Sequence, residues 1–100
     1  YESLPKNNPW VILIKKFKKV FLKELACIPK SSRVRIESDV FDADNNLVLN
    51  KCEKLKGYKD KFKIRYGDYR IGITINRKSN EIIFERVAHR KDIYKLFPTH

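Results

Sequence analysis

Methionine is absent from the 100 residues, glycine occurs three times, cysteine twice and tryptophan once. Cys27 and Cys52 form no C-x-x-C pair, and His89 and His100 are the only histidines, so the spacing offers no metal-ligand cluster. Neither a metal nor a cofactor is expected, and the cysteines read as ordinary thiols in a reducing compartment. There is no glycine-rich phosphate loop, no locally supported Ser-His-Asp or Cys-His arrangement, and no paired carboxylates in a strand context. These absences exclude the commonest routes to nucleophilic and acid–base hydrolysis. No apolar run approaches the roughly 18 residues of a membrane span, and no charged start followed by an apolar segment and cleavage site suggests export. The expected setting is soluble and cytoplasmic, without a membrane partner. The chain begins without an initiator methionine, which leaves residues upstream of Tyr1 open.

Acidic residues are also scarce. Twelve Asp and Glu stand against 23 Lys and Arg, a net charge of +11, and a charge this far from zero strains the compact state by self-repulsion. A polyanionic partner accounts for it, because each phosphate neutralised by Lys or Arg releases condensed counterions. Solubility alone is the plainer explanation of excess lysine. With 42% hydrophobic residues the chain can still build one packed core, and its length fits a single domain over 10–100 behind a polar lead-in at 1–9.

Trp10 to Ile14 is short, β-rich and apolar on both faces, as a buried strand is. Phe17, Val20, Phe21, Leu25 and Ile28 recur at helical spacing, with lysines between Lys15 and Lys23 on the other side. Pro29 stops that helix. Ser31 or Ser32 offers an N-cap for a second helix running to about Phe41, with Ile36, Val40 and Phe41 inward. Asp42 to Lys56 reads as loop with some packed leucines. From Lys61 the period changes to two: Phe62, Ile64 and Tyr66, then Tyr69, Ile71, Ile73 and Ile75, alternate with polar residues. Gly67-Asp68 suits a type II′ turn, which places Tyr66 opposite Tyr69, Arg65 opposite Arg70 and Ile64 opposite Ile71. A further strand over Glu81 to Ala88 and a charged tail over His89 to Phe97 complete an α+β domain. Its expected architecture is an N-terminal strand and two-helix hairpin packed on an antiparallel sheet, with a short C-terminal tail.

Strand alternation puts Lys61, Lys63, Arg65 and Arg70 on one face and the aromatic and β-branched residues on the other. Arg65 facing Arg70 is unfavourable unless something anionic lies above them. Gly72, opposite Lys63, marks a place where another molecule can approach the backbone. Such a face suits phosphodiester cleavage without a metal. A ribose 2′-OH attacking its phosphate needs a base, cations for the growing charge and a donor to the leaving oxygen, and Lys and Arg can supply all three. A solvated outer face of dispersed charge is the bland alternative.

The stretch KLKGYKDKFKIRYGDYRIGITIN and the terminal VAHRKDIYKLF closely resemble the RelE branch of the RelE/ParE toxin superfamily. There a K-L-K-G segment leads into an R-x-G-x-Y-R hairpin, and the last strand ends in an H-R-x-x-x-Y-like tail; here these are Lys54 to Gly57, Arg65 to Arg70 and His89 to Tyr94. The likeness is strong over Glu53 to Phe97. It implies a compact RelE-like fold, ribosome-dependent cleavage of mRNA in the decoding site, and inhibition by a small cognate antitoxin, expected to be acidic and partly disordered. By the same resemblance Lys61 or Lys63 would assist the 2′-OH, Arg70 and Arg90 would hold the scissile phosphate, and Tyr94 would stack on or orient a nucleotide. Arg65, His89 and Lys91 would add RNA contacts. Glu53 and His89 match positions where some relatives place the base, so the base stays open among Lys61, Lys63, His89 and Glu53. A ParE-like inhibitor of DNA gyrase, or a non-catalytic RNA-binding module, is the alternative on the same fold.

Overall fold

The computed structural model describes residues 14–42 and 50–98. The lead-in to Pro9, the expected strand from Trp10 up to residue 13 and the leucines at 47 and 49 lie outside the described residues. A five-stranded sheet of order β1-β5-β4-β3-β2 is made by β1 (Ile14–Phe17), β2 (Glu53–Lys54), β3 (Lys61–Tyr66), β4 (Tyr69–Asn76) and β5 (Glu81–His89). The α+β architecture is the expected one, with β1 joined to the sheet parallel to β5 and every other pairing antiparallel. Phe17, expected to open the helix, ends β1 because residues 14–17 find backbone partners along Glu81–Phe84, and tertiary pairing overrides local periodicity.

Helix α1 (Lys19–Ala26) presents Phe21 and Leu25 to the core; Ile28 follows it inward, and α2 (Lys30–Glu37) adds Ile36. Pro29, with its fixed φ, takes the N-cap position of α2 that the serines were expected to fill, and no side chain caps that end. A wider π-helical turn over Ser38–Asp42 carries Val40 into the core. Val20 and Phe41, expected inward, are respectively 37% and 42% exposed, because the core-facing stripe is narrower than the run of apolar residues. Phe41 still meets Phe17, with ring centroids 5.0 Å apart.

The β3–β4 register is the expected one, Tyr66 opposite Tyr69, Arg65 opposite Arg70 and Ile64 opposite Ile71. Gly67 has φ +59° and Asn80 is the only described non-glycine with positive φ, the combination that a type II′ turn at Gly67-Asp68 requires. Ile64, Ile71, Ile73, Ile82 and Phe84 therefore form the sheet's contribution to the core, with Phe62 packed against it. Between Gly72 and Ile73 the β4–β5 register shifts: Ile73 pairs with Phe84 but Gly72 pairs with Arg86, leaving Glu85 as the extra residue of a β-bulge. The bulge lets Phe84 and Val87, three residues apart, both reach the core. Beside it the Val87 N–H donates to Glu24 on α1 at 3.1 Å, and Glu24 also receives two bonds from Arg86 Nε and one, at 2.7 Å, from Nη2.

Glu24 thus closes the bulge onto α1. Glu24→Ala should cost about 2 kcal/mol, the order expected when a partly buried amide and a guanidinium lose their acceptor. Urea unfolding should show this as a lower midpoint at unchanged slope; a midpoint that does not move removes the bulge clamp from the account.

Candidate active site on the open face of the sheet

The same register that buries the isoleucines turns Lys61, Lys63 and Arg65 of β3, and Arg70, Gly72 and Thr74 of β4, to the face away from α1 and α2. On this face each lysine has a distinct set of neighbours. Lys61 donates to the Thr74 hydroxyl at 2.9 Å, and Thr74 donates in turn to Glu85, whose other oxygen lies 3.1 Å from Lys18 Nζ. Lys63 donates to the Tyr94 hydroxyl at 2.9 Å, lies 5.4 Å from the centre of the Tyr94 ring, and has Glu53 of β2 at 3.9 Å. Glu53 stands directly opposite Lys63 across the β2–β3 pairing, so this sequence candidate does join the cluster. The like-charge crowding expected between the lysines is divided between two carboxylates.

Glu85 was not among the candidates drawn from the sequence. It is 6% exposed and lies on the open face, one residue beyond the core-facing Phe84. Burial pushes its carboxyl up, but the Thr74 hydroxyl and the ammonium groups of Lys18 and Lys61 together outweigh that and hold it below its ordinary value of 4.5. Thr74 could have been found from the hairpin register, which sets it opposite Lys61, and Glu85 from alternation along β5, where Ile82 and Phe84 turn inward and Glu85 outward.

Arg70, Gly72 and His89 each have surroundings that set them apart from the lysines. Arg70 is not open: it is 8% exposed, with Nη1 donating to the carbonyls of Gly67 at 2.6 Å and Tyr69 at 2.9 Å. The turn carbonyls draw the Arg70 guanidinium in, and Arg65 alone of the pair is exposed. Gly72 is also not vacant, because the ring of Phe97 from the chain's own tail fills the space above it. His89 pairs with Tyr69 across β4–β5, and their rings meet edge to face at 5.8 Å. It therefore shares the face of Tyr69, not that of the lysines, and its Nδ1 accepts the Lys91 N–H at 3.2 Å.

The tail brings the remaining candidates. The Arg90 N–H donates to the Asp68 carbonyl at 2.7 Å, tying the end of β5 to the hairpin turn, while the exposed Arg90 side chain lies 3.8 Å from the Asp68 carboxylate. Lys91 is exposed. Beyond it α3 (Ile93–Leu96) buries Ile93 and leaves Tyr94 56% exposed above Lys63. Lys61, Lys63, Glu53, Thr74, Glu85 and Tyr94 thus form one group, with Arg65 and Arg90 as the exposed cations nearer the hairpin turn. Among the described residues no group of His, Cys, Asp and Glu could hold a metal ion, and no helix is long and apolar enough to cross a membrane. Cys27 and Cys52 are both free thiols, and burial pushes that of Cys52 up to about 12.

Comparison with known proteins places this arrangement. The family model described as ParE toxin of type II toxin-antitoxin system, parDE, matches residues 16–94. Toxin RelE3 of Methanocaldococcus jannaschii is 43% identical over 86 residues, which span 82% of this chain and 96% of that protein. A RelB-RelE antitoxin-toxin complex from Methanococcus jannaschii contains a chain with TM-score 0.68 and 42% identity, covering 83% of this chain and 99% of that one. The toxin-antitoxin complex RelBE2 from Mycobacterium tuberculosis gives TM-score 0.66 at 20% identity, over 78% of this chain and 98% of that one, a likeness of fold.

The Glu85 network carries a pH signature. A carboxyl whose folded value lies below its unfolded one contributes stability above the unfolded value and loses it as pH falls through the folded one. Stability should therefore decline below 4.5, the ordinary value for Glu85. Glu85→Gln should flatten that decline when thermal midpoints are followed from neutrality to about pH 3; an unchanged acid limb would mean that other carboxylates govern it.

Proposed function

The chain belongs to the ParE-toxin family of type II toxin–antitoxin systems, within the RelE/ParE superfamily, and from that membership we propose that it is a metal-independent endoribonuclease that cleaves mRNA in the ribosomal decoding site. The observation that carries this reading is the exposed Lys63–Tyr94 pair, 2.9 Å between Nζ and the hydroxyl, standing beside Lys61 on a sheet face whose other exposed side chains include Arg65. An aromatic ring able to stack on a base, beside an amine and among phosphate-binding cations, suits a single-stranded RNA bent into place for in-line attack.

In the proposed reaction Lys63 takes the proton of the 2′-OH, with Glu53 at 3.9 Å as its local counter-charge. The 2′-oxygen forms a bond to phosphorus, the bond from phosphorus to the 5′-oxygen breaks, water gives that leaving oxygen a proton, and Lys63, which must start unprotonated to act as base, returns the proton it took to solvent. The products are a 2′,3′-cyclic phosphate and a 5′-OH. Lys61, held by Thr74 and Glu85, stabilises charge on the phosphate, with Arg65 and Arg90 gripping the flanking backbone and Lys91 adding affinity. Arg70 serves the phosphate only by leaving its two turn carbonyls, so its first role is to hold the hairpin. The position of His89 on the Tyr69 face supports a contact to RNA outside the lysine cluster rather than the part of base.

The likeness to toxin chains of RelB-RelE complexes supports an antitoxin as the protein partner. A domain of net charge +11 suits an acidic one, disordered in part and folding as it binds. Action on ribosome-bound mRNA places the toxin in the cytoplasm.

Cleavage should proceed in EDTA and leave cyclic phosphate ends. Lys63→Ala and Arg90→Ala should each lower the rate about 100- to 1,000-fold, the usual cost of one transition-state group, or about 3 to 4 kcal/mol. His89→Gln should stay near the native rate; a collapse of rate with titration near the ordinary histidine value would transfer the base role to His89. The family model's own description favours testing a gyrase inhibitor in parallel: arrested supercoiling with intact mRNA would replace this reading. For the partner, association with the antitoxin should slow markedly as salt rises, and a salt-independent rate would contradict an acidic one.

A further inference from the structure

Gly72 lies near the middle of the open face, opposite Lys63 on one side and Arg86 on the other. A methyl group built there would overlap Cγ, Cδ1 and Cδ2 of the Phe97 ring, so the ring sits directly on the strand backbone. Phe97 and Ile93 are each 2% exposed and stand four residues apart, one helical turn, as the two anchors of the tail. The turn between them closes through the Phe97 N–H to the Ile93 carbonyl at 2.8 Å and the Lys95 N–H to the Asp92 carbonyl at 3.0 Å. A helix of four residues has no stability of its own. Its orientation comes from those anchors and from the tie between Arg90 and Asp68. Tyr94, next to Ile93, is the side chain that this seating delivers to Lys63.

We propose that Phe97 seated over Gly72 is a positioning residue for the ribonuclease site: ring and notch together set where Tyr94 stands against Lys63, and hence how a nucleotide is held there. Bulk at position 97 and its absence at position 72 are a matched pair, and loss of either half frees the tail. The catalytic half of this inference rests on the ribonuclease reading; the structural half does not.

The test measures single-turnover cleavage of a ribosome-bound message for Phe97→Leu, Gly72→Ala, the two combined, Tyr94→Ala, and Tyr94→Ala with Phe97→Leu, beside tyrosine-ring NMR of the free protein. Phe97→Leu and Gly72→Ala should each lower the cleavage rate, by up to about 100-fold for a displacement near 1 Å, with substrate affinity changing less. Combining them should recover part of the rate relative to Gly72→Ala, since the methyl takes room that the smaller side chain vacates. Phe97→Leu should cost nothing further in the Tyr94→Ala background. An equal loss with and without Tyr94 would make Phe97 merely structural and overturn the proposal. In the spectra the Tyr94 ring signals should move in both single variants while the dispersion of the fold is kept; unmoved signals overturn it equally. Should Phe97→Leu not fold, Gly72→Ala carries the same comparison through its own combination with Tyr94→Ala. Native protein that leaves the message intact would defeat the ribonuclease reading, and the spectra would still decide the positioning.

Discussion

The two-residue turn at Gly67-Asp68 fixes which residue of β3 stands opposite which of β4, and the two faces of the domain follow from that choice. A slip of β3 by one residue would carry Ile64 into solvent and Lys63 into the core. Gly67 supplies the positive φ that the turn needs. Arg70 then locks the result from within, its guanidinium bound to the carbonyls of Gly67 and Tyr69, while the Asp68 carbonyl receives the Arg90 N–H and so joins the hairpin to the start of the tail. One small turn therefore holds the register, orients a buried cation and anchors the segment that carries Tyr94.

Around this frame, an excess of positive charge is made compatible with folding by assigning several cations local counter-groups. Glu85 lies between Lys18 and Lys61, Glu24 holds Arg86, Asp39 holds Lys51 at 2.5 Å and accepts from the Tyr66 hydroxyl at 3.0 Å, and Glu81 holds Lys16 at 3.2 Å. The partners with the most exposed side chains, Glu53 and Asp68, lie at the longer distances of 3.9 Å and 3.8 Å from Lys63 and Arg90. Pairs of that kind contribute little to stability and give way readily to a better anion. The division separates cations that hold the fold together from those available to a phosphate chain. It also explains why the buried carboxylate Glu85 belongs to the site's support: it orders Lys61 and Thr74 without meeting solvent.

Much was legible from residues alone. Period-two alternation over Lys61–Asn76 with a Gly-Asp turn dictates a hairpin, its register and the segregation of charge, because β-strand geometry is local and the turn type follows from one glycine. The helices were placed through Phe21, Leu25 and Pro29, and the family through the paired motifs at Arg65–Arg70 and His89–Tyr94. Long-range pairing decided the rest. Phe17 became the end of a strand because β5 offered it backbone partners. Glu53 entered the cluster because a two-residue strand pairs with β3, and Arg70 is held inward because the carbonyls of Gly67 and Tyr69 accept from its guanidinium.

The sequence by itself determined that a basic α+β chain would bury its isoleucines on one face of a hairpin and expose lysines on the other, since those consequences depend on spacing and charge within a few residues. Only the tertiary structure decided which cations share the exposed cluster, that Glu85 is buried between Lys18 and Lys61, that His89 faces the other way, and that Phe97 fills the notch at Gly72 and carries Tyr94 to Lys63. Each of these depends on groups far apart in the chain, 31 residues in the case of Lys63 and Tyr94. They meet through backbone pairing and close packing, which no periodicity along the chain encodes.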